Sequence, residues 1–264
     1  MIAHAGEADL HYHVAGDGPE TLVLVNGVGD PLEGWENQTA DFLAAGLRVV
    51  SFDNRGVGRS SQPPGPYTSA QMAADLHAVV TAAGLDGFHL AGVSMGGVIA
   101  QEYALAHPDT LRSLVLANTF AAADPFTRAA FLSWAEVAEA AGMPMMMRAQ
   151  APWIFSPAFY AEHPDRVANL IAEAAQSTQP AAAFAAQTAA LVDHDARDRL
   201  AALGTPTLVI AAADDIIIRP ALSRELLLAL PAAAWSVVPG GHAAFWENPR
   251  PWNHAVLEFV RAHR

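Results

Sequence analysis

The sequence predicts an α/β fold in which helices flank a mostly parallel sheet and a helical cap is inserted. Short, continuous apolar runs alternate with amphipathic stretches, which is typical of parallel strands joined by helices. Gly92-Val93-Ser94-Met95-Gly96 connects one such run to a helical pattern through a sharp turn. The alternation stops between residues 119 and 200. We therefore expect a core formed by residues 1–118 and 201–264, with residues 119–200 as the cap.

The first half of the chain alternates between strand and helix patterns with short connections. Residues 8–14 alternate in polarity, as a half-exposed strand does, whereas the later apolar runs are continuous, as buried parallel strands are. Thr68 to Gln71 resembles a capping box at the start of a helix, and Gly84 is suited to end that helix. The other predicted elements are strands over 21–25, 48–52, 88–93 and 113–117 and helices over 35–45, 68–83 and 95–106.

The same alternation resumes near Thr205 and Pro206. One apolar run ends in Asp214-Asp215, and the last one leads into Pro239-Gly240-Gly241-His242. Because parallel strands end at one edge of a sheet, we expect these polar residues to lie near Ser94. The predicted elements here are strands over 207–212 and 234–238 and helices over 222–230 and 252–262.

The insertion is rich in alanine, methionine and aromatic residues, and prolines divide it into helical stretches. We expect it to lie over the carboxyl edge of the sheet, where ligands bind in open α/β folds. Most of its apolar residues should pack its own core, and a minority should face a pocket. The residues that we expect around the substrate are Asn26, Trp134, Met145, Trp153, Phe155, Phe245 and Trp246.

Composition and charge exclude several classes of function. The chain has 264 residues, no cysteine and a formal net charge of −13. Thiolate metal sites and cysteine nucleophiles are excluded, and the charge disfavours nucleic acid and anionic membranes as partners. All 14 basic residues are arginine, which excludes Schiff-base lysine chemistry. Neither a membrane-spanning run nor the pattern of a signal peptide is found. We therefore expect a cytoplasmic protein whose partner is a small-molecule substrate.

We predict neither a metal nor a cofactor. His11 and His13 share one face of the first strand, but no carboxylate cluster accompanies them, so they are interpreted as ordinary strand residues. Gly27-Val28-Gly29 lacks the third glycine that a dinucleotide-binding loop requires.

Ser94 is the candidate nucleophile. It lies at the apex of a G-x-S-x-G turn, and the glycines beside it fit because such a turn leaves no room for Cβ atoms. The hydroxyl then projects from the sheet edge beside the free N–H groups of the following helix. The alternative interpretation is an ordinary Gly/Ser turn between a strand and a helix.

His242 is the candidate base. A serine hydroxyl needs an adjacent base at neutral pH, and a carboxylate must orient that base. Of the 11 histidines, only His242 follows a late strand in a Gly-rich loop. Asp214 and Asp215 end the preceding strand, and only one of them can reach the histidine because adjacent residues leave a strand on opposite sides. Spacing does not decide between them, and Asp124 is a more remote alternative.

Two glycine-rich loops follow other strands. Asn26-Gly27-Val28-Gly29 can direct backbone N–H groups at a point near Ser94, as an oxyanion hole requires, and an ordinary glycine turn is the alternative. In the loop 53–60, we expect Asp53 and Arg55 to pair and to fix the loop rather than to take part in chemistry.

These segments together resemble the α/β-hydrolase fold superfamily over nearly the whole chain. The segments that carry the resemblance are 26–29, 53–60, 92–97, 213–215 and 240–242. Asn118-Thr119, the length of the cap and the segment 239–243 are similar to the group of 3-oxoadipate enol-lactonases and aminoacrylate/carbamate hydrolases.

The resemblance implies a role for each candidate residue. It implies Ser94 as nucleophile, His242 as base and then acid, and Asp215 as the carboxylate that orients the histidine. It also implies the N–H groups of Val28 and Met95 as oxyanion donors. The family usually has His-Gly where this chain has Asn26-Gly27; the backbone donor is retained, and the change alters the polarity of the pocket.

The predicted function is hydrolysis of a carboxylic ester or lactone of a small, partly apolar substrate through an acyl-enzyme. Hydrolysis of carbamates or amides, C–C bond cleavage and peracid formation use the same residues and are alternatives, as is a non-catalytic small-molecule sensor on this scaffold. The substrates of the two similar groups are anionic, and Arg128 and Arg148 in the cap could meet a carboxylate. We favour the alternative that both arginines are solvated at the surface.

Overall fold

A single eight-stranded sheet organises the computed structural model, which describes residues 1–264. The strand order is β1-β2-β4-β3-β5-β6-β7-β8, with antiparallel pairing at β1–β2 and β2–β4 and parallel pairing elsewhere. The predicted α/β class with a mostly parallel sheet is confirmed. The strands are β1 (Ile2–Ala5), β2 (Ala8–Ala15), β3 (Glu20–Val25), β4 (Leu47–Phe52), β5 (Phe88–Val93), β6 (Leu111–Ala117), β7 (Thr207–Ala212) and β8 (Ala233–Val238).

Eleven helices accompany the sheet, and none of them is both long and apolar enough to cross a membrane. Two of them begin earlier than predicted, at Pro220 and Pro249, because proline is accepted in the first turn of a helix. The helices are α1 (Glu36–Ala44), α2 (Ser69–Ala82), α3 (Met95–Ala106), α4 (Pro125–Ala141), α5 (Met143–Ile154), α6 (Pro157–Glu162), α7 (Pro164–Ala174), α8 (Ala181–Val192), α9 (Pro220–Ala229), α10 (Ala244–Glu247) and α11 (Pro249–Ala262).

Apolar cores cover both faces of the sheet. Along β3, Leu22 and Leu24 belong to one core, while Val23 and Val25 belong to the other. This alternation follows from the two-residue period of a strand, and burial on both faces explains why the strand reads as a continuous apolar run. The core that contains Leu22 and Leu24 also contains Trp252 of α11 and Trp35, which directly precedes α1. The ring centroids of these two tryptophans lie 5.8 Å apart.

The insertion between β6 and β7 contains helices α4 to α8, and its two ends lie side by side. Ala122 forms an antiparallel bridge with Asp195, and the Ala196 N–H donates to the Ala121 carbonyl over 2.9 Å. The insertion therefore leaves and re-enters the sheet at one place.

The loop after β4 is fixed differently from the prediction. Arg55 pairs with Asp75 of α2 in a buried, bidentate contact of 2.5 and 2.7 Å, and Asp53 instead accepts the backbone N–H groups of Leu32 and Arg59. The predicted Asp53–Arg55 pair is wrong, because Arg55 has a carboxylate partner in α2 and Asp53 is occupied by two backbone N–H groups, one of them within its own loop. A bidentate guanidinium–carboxylate contact is among the strongest hydrogen-bonded pairs available to a protein.

The buried pair predicts a large effect of Asp75→Asn on stability. The substitution leaves the Arg55 charge buried without its counter-ion, so we expect the free energy of unfolding to fall by about 3 kcal/mol. Urea denaturation at pH 7 measures the change, with Asp86→Asn on the surface as the matched control. A loss below about 1 kcal/mol would mean that solvent or Glu7, whose carboxylate lies 3.6 Å from Arg55, compensates the charge.

Candidate active site

Ser94 lies at the apex of the turn between β5 and α3, with φ 55° and ψ −119°. A Cβ atom on Gly92 would overlap the Gly96 carbonyl, and one on Gly96 would overlap the backbone of Val25 in β3. The turn therefore requires glycine at both positions. The Ser94 N–H donates to the Ala117 carbonyl over 3.0 Å, which ties the strained residue to β6.

Asp215 and His242 are paired at the ends of β7 and β8. His242 Nδ1 lies 2.7 Å from Asp215 Oδ2, and Asn118 Nδ2 donates to the same oxygen over 3.0 Å. The other oxygen accepts the backbone N–H groups of Ile217 and Ile218, both over 2.9 Å. The Asp215 carboxylate is thus held by four contacts and presents one oxygen to the histidine.

The other two candidate carboxylates do not contact His242. Asp214 is exposed. Asp124 accepts the Thr127 N–H over 2.8 Å as the N-cap of α4, and its second oxygen pairs with Arg219. Asp124 therefore anchors the start of the cap to the core.

The surroundings of His242 favour its protonated form. Burial lowers the pKa of this imidazole, but the charge and the hydrogen bond of Asp215 outweigh burial, and Asp30 adds to their effect. The net result is a pKa above the ordinary histidine value. An imidazole in this environment can accept a proton and hold it as a stabilised imidazolium.

Ser94 and His242 open into one cavity of about 670 Å³ under the cap. Its floor is the loop after β3, and its walls come from the cap helices and the segment after His242. Three of the predicted pocket residues, Phe155, Phe245 and Trp246, line it. The volume suits a small organic molecule.

The predicted cap residues Trp134, Trp153 and Met145 do not line this cavity, and these predictions are wrong. Trp134 is buried in the core of the cap, where its ring lies 5.0 Å from that of Phe131 and 6.2 Å from that of Trp153. Met145 points to solvent and is 49% exposed. The cavity wall is instead formed by neighbours on the same helices, namely Phe131, Met147, Ala151 and Ile154.

Asn26 also lies outside the cavity lining, contrary to the prediction. Its amide Nδ2 donates to the Pro31 carbonyl over 2.6 Å, and its backbone carbonyl accepts a hydrogen bond from Asn54 over 3.2 Å. Asn26 therefore shapes the loop over 26–31 from below.

Neither Arg128 nor Arg148 lines the cavity, in agreement with the interpretation that we favoured. Arg128 pairs with Asp193 over 2.7 Å and donates to the Val192 carbonyl, and Arg148 is exposed outside the lining. The cation at the cavity mouth is Arg166 of α7, which the sequence reasoning missed.

Two backbone N–H groups near Ser94 have no acceptor within the protein, one in the loop after β3 and one at the start of α3. The Val28 N–H donates no hydrogen bond within the protein, and Met95 is the first residue of α3, so its N–H has no acceptor one turn earlier in the helix. The neighbouring Gly29 N–H donates to Gln187 Oε1 over 2.9 Å. Two donors next to Ser94 can stabilise an oxyanion.

Gln187 of α8 connects the cap to two core loops, and the sequence reasoning missed it. Besides accepting from Gly29, it donates to the Arg55 carbonyl over 2.7 Å and accepts from Gln179 over 3.1 Å. Its signal was its position: Gln187 and Thr188 are the polar residues of an otherwise apolar, largely buried helix. A buried amide in such a helix requires partners elsewhere in the fold.

Asp30 is the third residue that the sequence reasoning missed, after Arg166 and Gln187. Its Oδ2 and the Ser94 hydroxyl lie 3.0 and 3.9 Å from one point, the place that a Cβ on Gly27 would occupy. Burial within the cavity raises the pKa of Asp30 to about 7, although the charge of His242 acts in the opposite direction. Its signal was a carboxylate directly after the glycine-rich loop.

The raised pKa of Asp30 predicts pH-dependent stability. In the unfolded chain this carboxyl ionises near its ordinary pKa of 3.8, so ionisation penalises the folded state increasingly as the pH rises from 3.8 to about 7. We expect Asp30→Asn to remove the penalty and to raise the Tm at pH 8 by roughly 3 °C, with little gain at pH 4. Thermal unfolding followed by circular dichroism measures this, with Asp86→Asn as control. An equal gain at both pH values would contradict a titrating carboxyl.

Comparison with known proteins identifies the family. A protein named carbamate hydrolase RutD from Azorhizobium caulinodans is 35% identical to this chain, and the match covers 97% of both. Two solved structures are similar over their whole length. The enol-lactonase from Burkholderia xenovorans LB400 has a TM-score of 0.91 and 26% identity, and the match covers 99% of this chain and 100% of that one. A thermophilic esterase from Thermogutta terrifontis has a TM-score of 0.89 and 26% identity, and the match covers 100% of this chain and 99% of that one. The model of the alpha/beta hydrolase fold matches residues 20–249, and the chain belongs to this family.

Proposed function

We propose that this chain is a serine hydrolase that cleaves a carboxylic ester or lactone of a small, partly apolar substrate. The observation that carries the proposal is the Asp215–His242 pair in the same cavity as the strained Ser94. Ser94, His242 and Asp215 act as nucleophile, base and orienting carboxylate.

The first half of the reaction forms an acyl-enzyme. Ser94 Oγ attacks the carbonyl carbon while its proton passes to His242 Nε2. The carbonyl oxygen becomes an oxyanion, which accepts hydrogen bonds from the N–H groups of Val28 and Met95. The carbon–oxygen bond to the leaving group then breaks, and the leaving oxygen takes the proton from His242. Asp215 holds the imidazole through Nδ1 and stabilises its positive charge.

The second half releases the acid. Water gives a proton to His242 and attacks the acyl carbon, and collapse of the second tetrahedral intermediate returns the proton to Ser94. No group other than the residues named and water takes part. A lactone differs only in that its leaving alcohol stays attached to the acyl group.

The cavity supports a partly apolar substrate. Phe131, Phe155 and Phe245 provide aromatic wall, and the cap shields the reacting atoms from bulk water. Exclusion of water strengthens the hydrogen bonds to a developing oxyanion.

Carbamate hydrolysis is the second candidate, because the relative from Azorhizobium caulinodans is named carbamate hydrolase. The same residues would form a carbamoyl-enzyme in the first step. The two reactions differ in the group attached to the carbonyl carbon, so a substrate panel distinguishes them.

Ser94→Ala tests the proposal. We expect kcat on a cleaved ester to fall by about 10⁴-fold or more, because the nucleophile is lost while binding is retained. The panel comprises short and long aryl esters, a lactone, an enol-lactone and an aryl carbamate, and Ser133→Ala, an exposed serine of α4, serves as the matched control. Unchanged kcat in Ser94→Ala would rule out the nucleophile. Labelling of Ser94 by a fluorophosphonate without turnover of any panel member would favour a sensor.

Gln187→Ala tests the support of the oxyanion loop. Without this amide, Gly29 loses its acceptor and the Val28 N–H loses its fixed direction, so we expect kcat on an ester to fall about tenfold with a smaller change in KM. Steady-state kinetics of the variant and of Gln176→Ala, at the cavity mouth, provide the comparison. A change confined to KM would assign Gln187 to substrate binding instead.

A further inference from the structure

The ionisable groups of the cavity are mostly acidic. Besides His242, the lining contains four carboxylates and one guanidinium, namely Asp30, Glu33, Glu36, Glu173 and Arg166. All of them except Asp30 are exposed at the mouth. Asp30 is therefore the carboxylate that a substrate meets beside the nucleophile.

The cation at the mouth is already engaged. Arg166 donates to the Trp246 carbonyl over 3.3 Å, and its guanidinium lies 5.3 Å from the centre of the Phe159 ring. The other nearby arginine, Arg59, pairs with Glu33 over 2.5 Å. No free cation of the protein faces Asp30 from the cavity wall.

Asp30 itself lacks a partner. The only charged group that acts on it is His242, and no protein donor is hydrogen-bonded to its carboxylate. Asp30 Oδ2 and Ser94 Oγ both lie within 4 Å of the position that a Cβ on Gly27 would occupy. A substrate whose carbonyl carbon contacts Ser94 therefore also lies close to this carboxylate. An ionised carboxylate without a partner in a desolvated site is unfavourable, and a ligand that supplies a positive charge removes that cost.

We propose that Asp30 is a specificity-determining residue that binds an ammonium group of the ester substrate, a few bonds from the scissile carbonyl, and that it rejects esters bearing a carboxylate there. The inference rests on the proposed hydrolase function. It separates this chain from the anionic substrates that its sequence resemblance implies.

The electrostatics of the cavity support a cation over an anion. A positive group beside Asp30 is attracted by the ionised carboxylate, and a negative group at the same place is repelled, while water is too restricted to screen either interaction fully. His242 must be neutral to act as a base, so it does not offset this field in the reactive state. Glu33, Glu36 and Glu173 extend the negative field toward the mouth.

Three 4-nitrophenyl esters of matched length test the proposal: 4-(trimethylammonio)butanoate, its neutral isostere 5,5-dimethylhexanoate, and the monoester of glutaric acid. Kinetics at pH 8.5 keep Asp30 ionised. We expect Asp30→Asn to lower kcat/KM for the ammonium ester at least tenfold relative to the neutral ester and to raise it for the glutarate ester about tenfold. Asp86→Asn, which removes the same charge from the surface, should change none of these ratios.

The pH dependence provides a second readout. For the ammonium ester, we expect KM to fall as the pH rises through about 7 in the wild type and to be flat in Asp30→Asn. The other charged groups that line the cavity with Asp30 are His242, Glu33, Glu36, Arg166 and Glu173. The neutral ester controls for their titration, because it differs from the ammonium ester only in the charged group.

Equal effects of Asp30→Asn on all three esters would overturn the proposal, provided that the Tm shows a folded variant. Should none of the esters be turned over, the Kd values of the ammonium and neutral esters for Ser94→Ala and for Ser94→Ala/Asp30→Asn decide it by calorimetry. A Kd ratio that Asp30→Asn leaves unchanged refutes the ammonium site. Failure of the hydrolase proposal is seen separately, as ester cleavage that survives Ser94→Ala.

Discussion

The close approach of the turn after β5 to the carboxyl end of β3 is the constraint on which the site depends. Gly96 packs directly against the backbone of Val25, and Val25 is paired with Gly92 across the two strands. The residues after Val25 form the loop that contains Val28, so this one backbone contact sets the position of Ser94 relative to the Val28 N–H. A side chain at Gly96 would separate Ser94 from the Val28 N–H as well as distort the turn.

The sheet was predictable because buried parallel strands give continuous apolar runs that are distinct from helical patterns. The strand β1 was missed because Ile2–Ala5 is short, lies at the sheet edge and carries only a weak pattern. The helix starts at Pro220 and Pro249 were placed too late, although proline is accepted in the first turn of a helix. Apart from β1, these errors concern the ends of elements, which local sequence specifies least.

Only part of the candidate site could be anticipated from the sequence. Ser94, Asp215 and His242 follow strand ends, and the topology of the sheet brings strand ends together, so their proximity could be anticipated from chain order. The cavity wall could not, because the sequence of an apolar helix does not state which face meets the core: Trp134 packs inward while its neighbour Phe131 also reaches the cavity. Charge in the cavity depends on contacts between distant parts of the chain, and no local pattern marked Asp30 or Arg166 as lining residues.

The amide of Gln187 joins the cap to the loops after β3 and β4. Gln187 lies 158 residues from Gly29 in the chain, yet its side chain hydrogen-bonds to both core loops, at Gly29 and at Arg55. A cap transplanted from a relative without a glutamine at this place would bring a new pocket and would also leave the Gly29 N–H and the Arg55 carbonyl without their partner in α8.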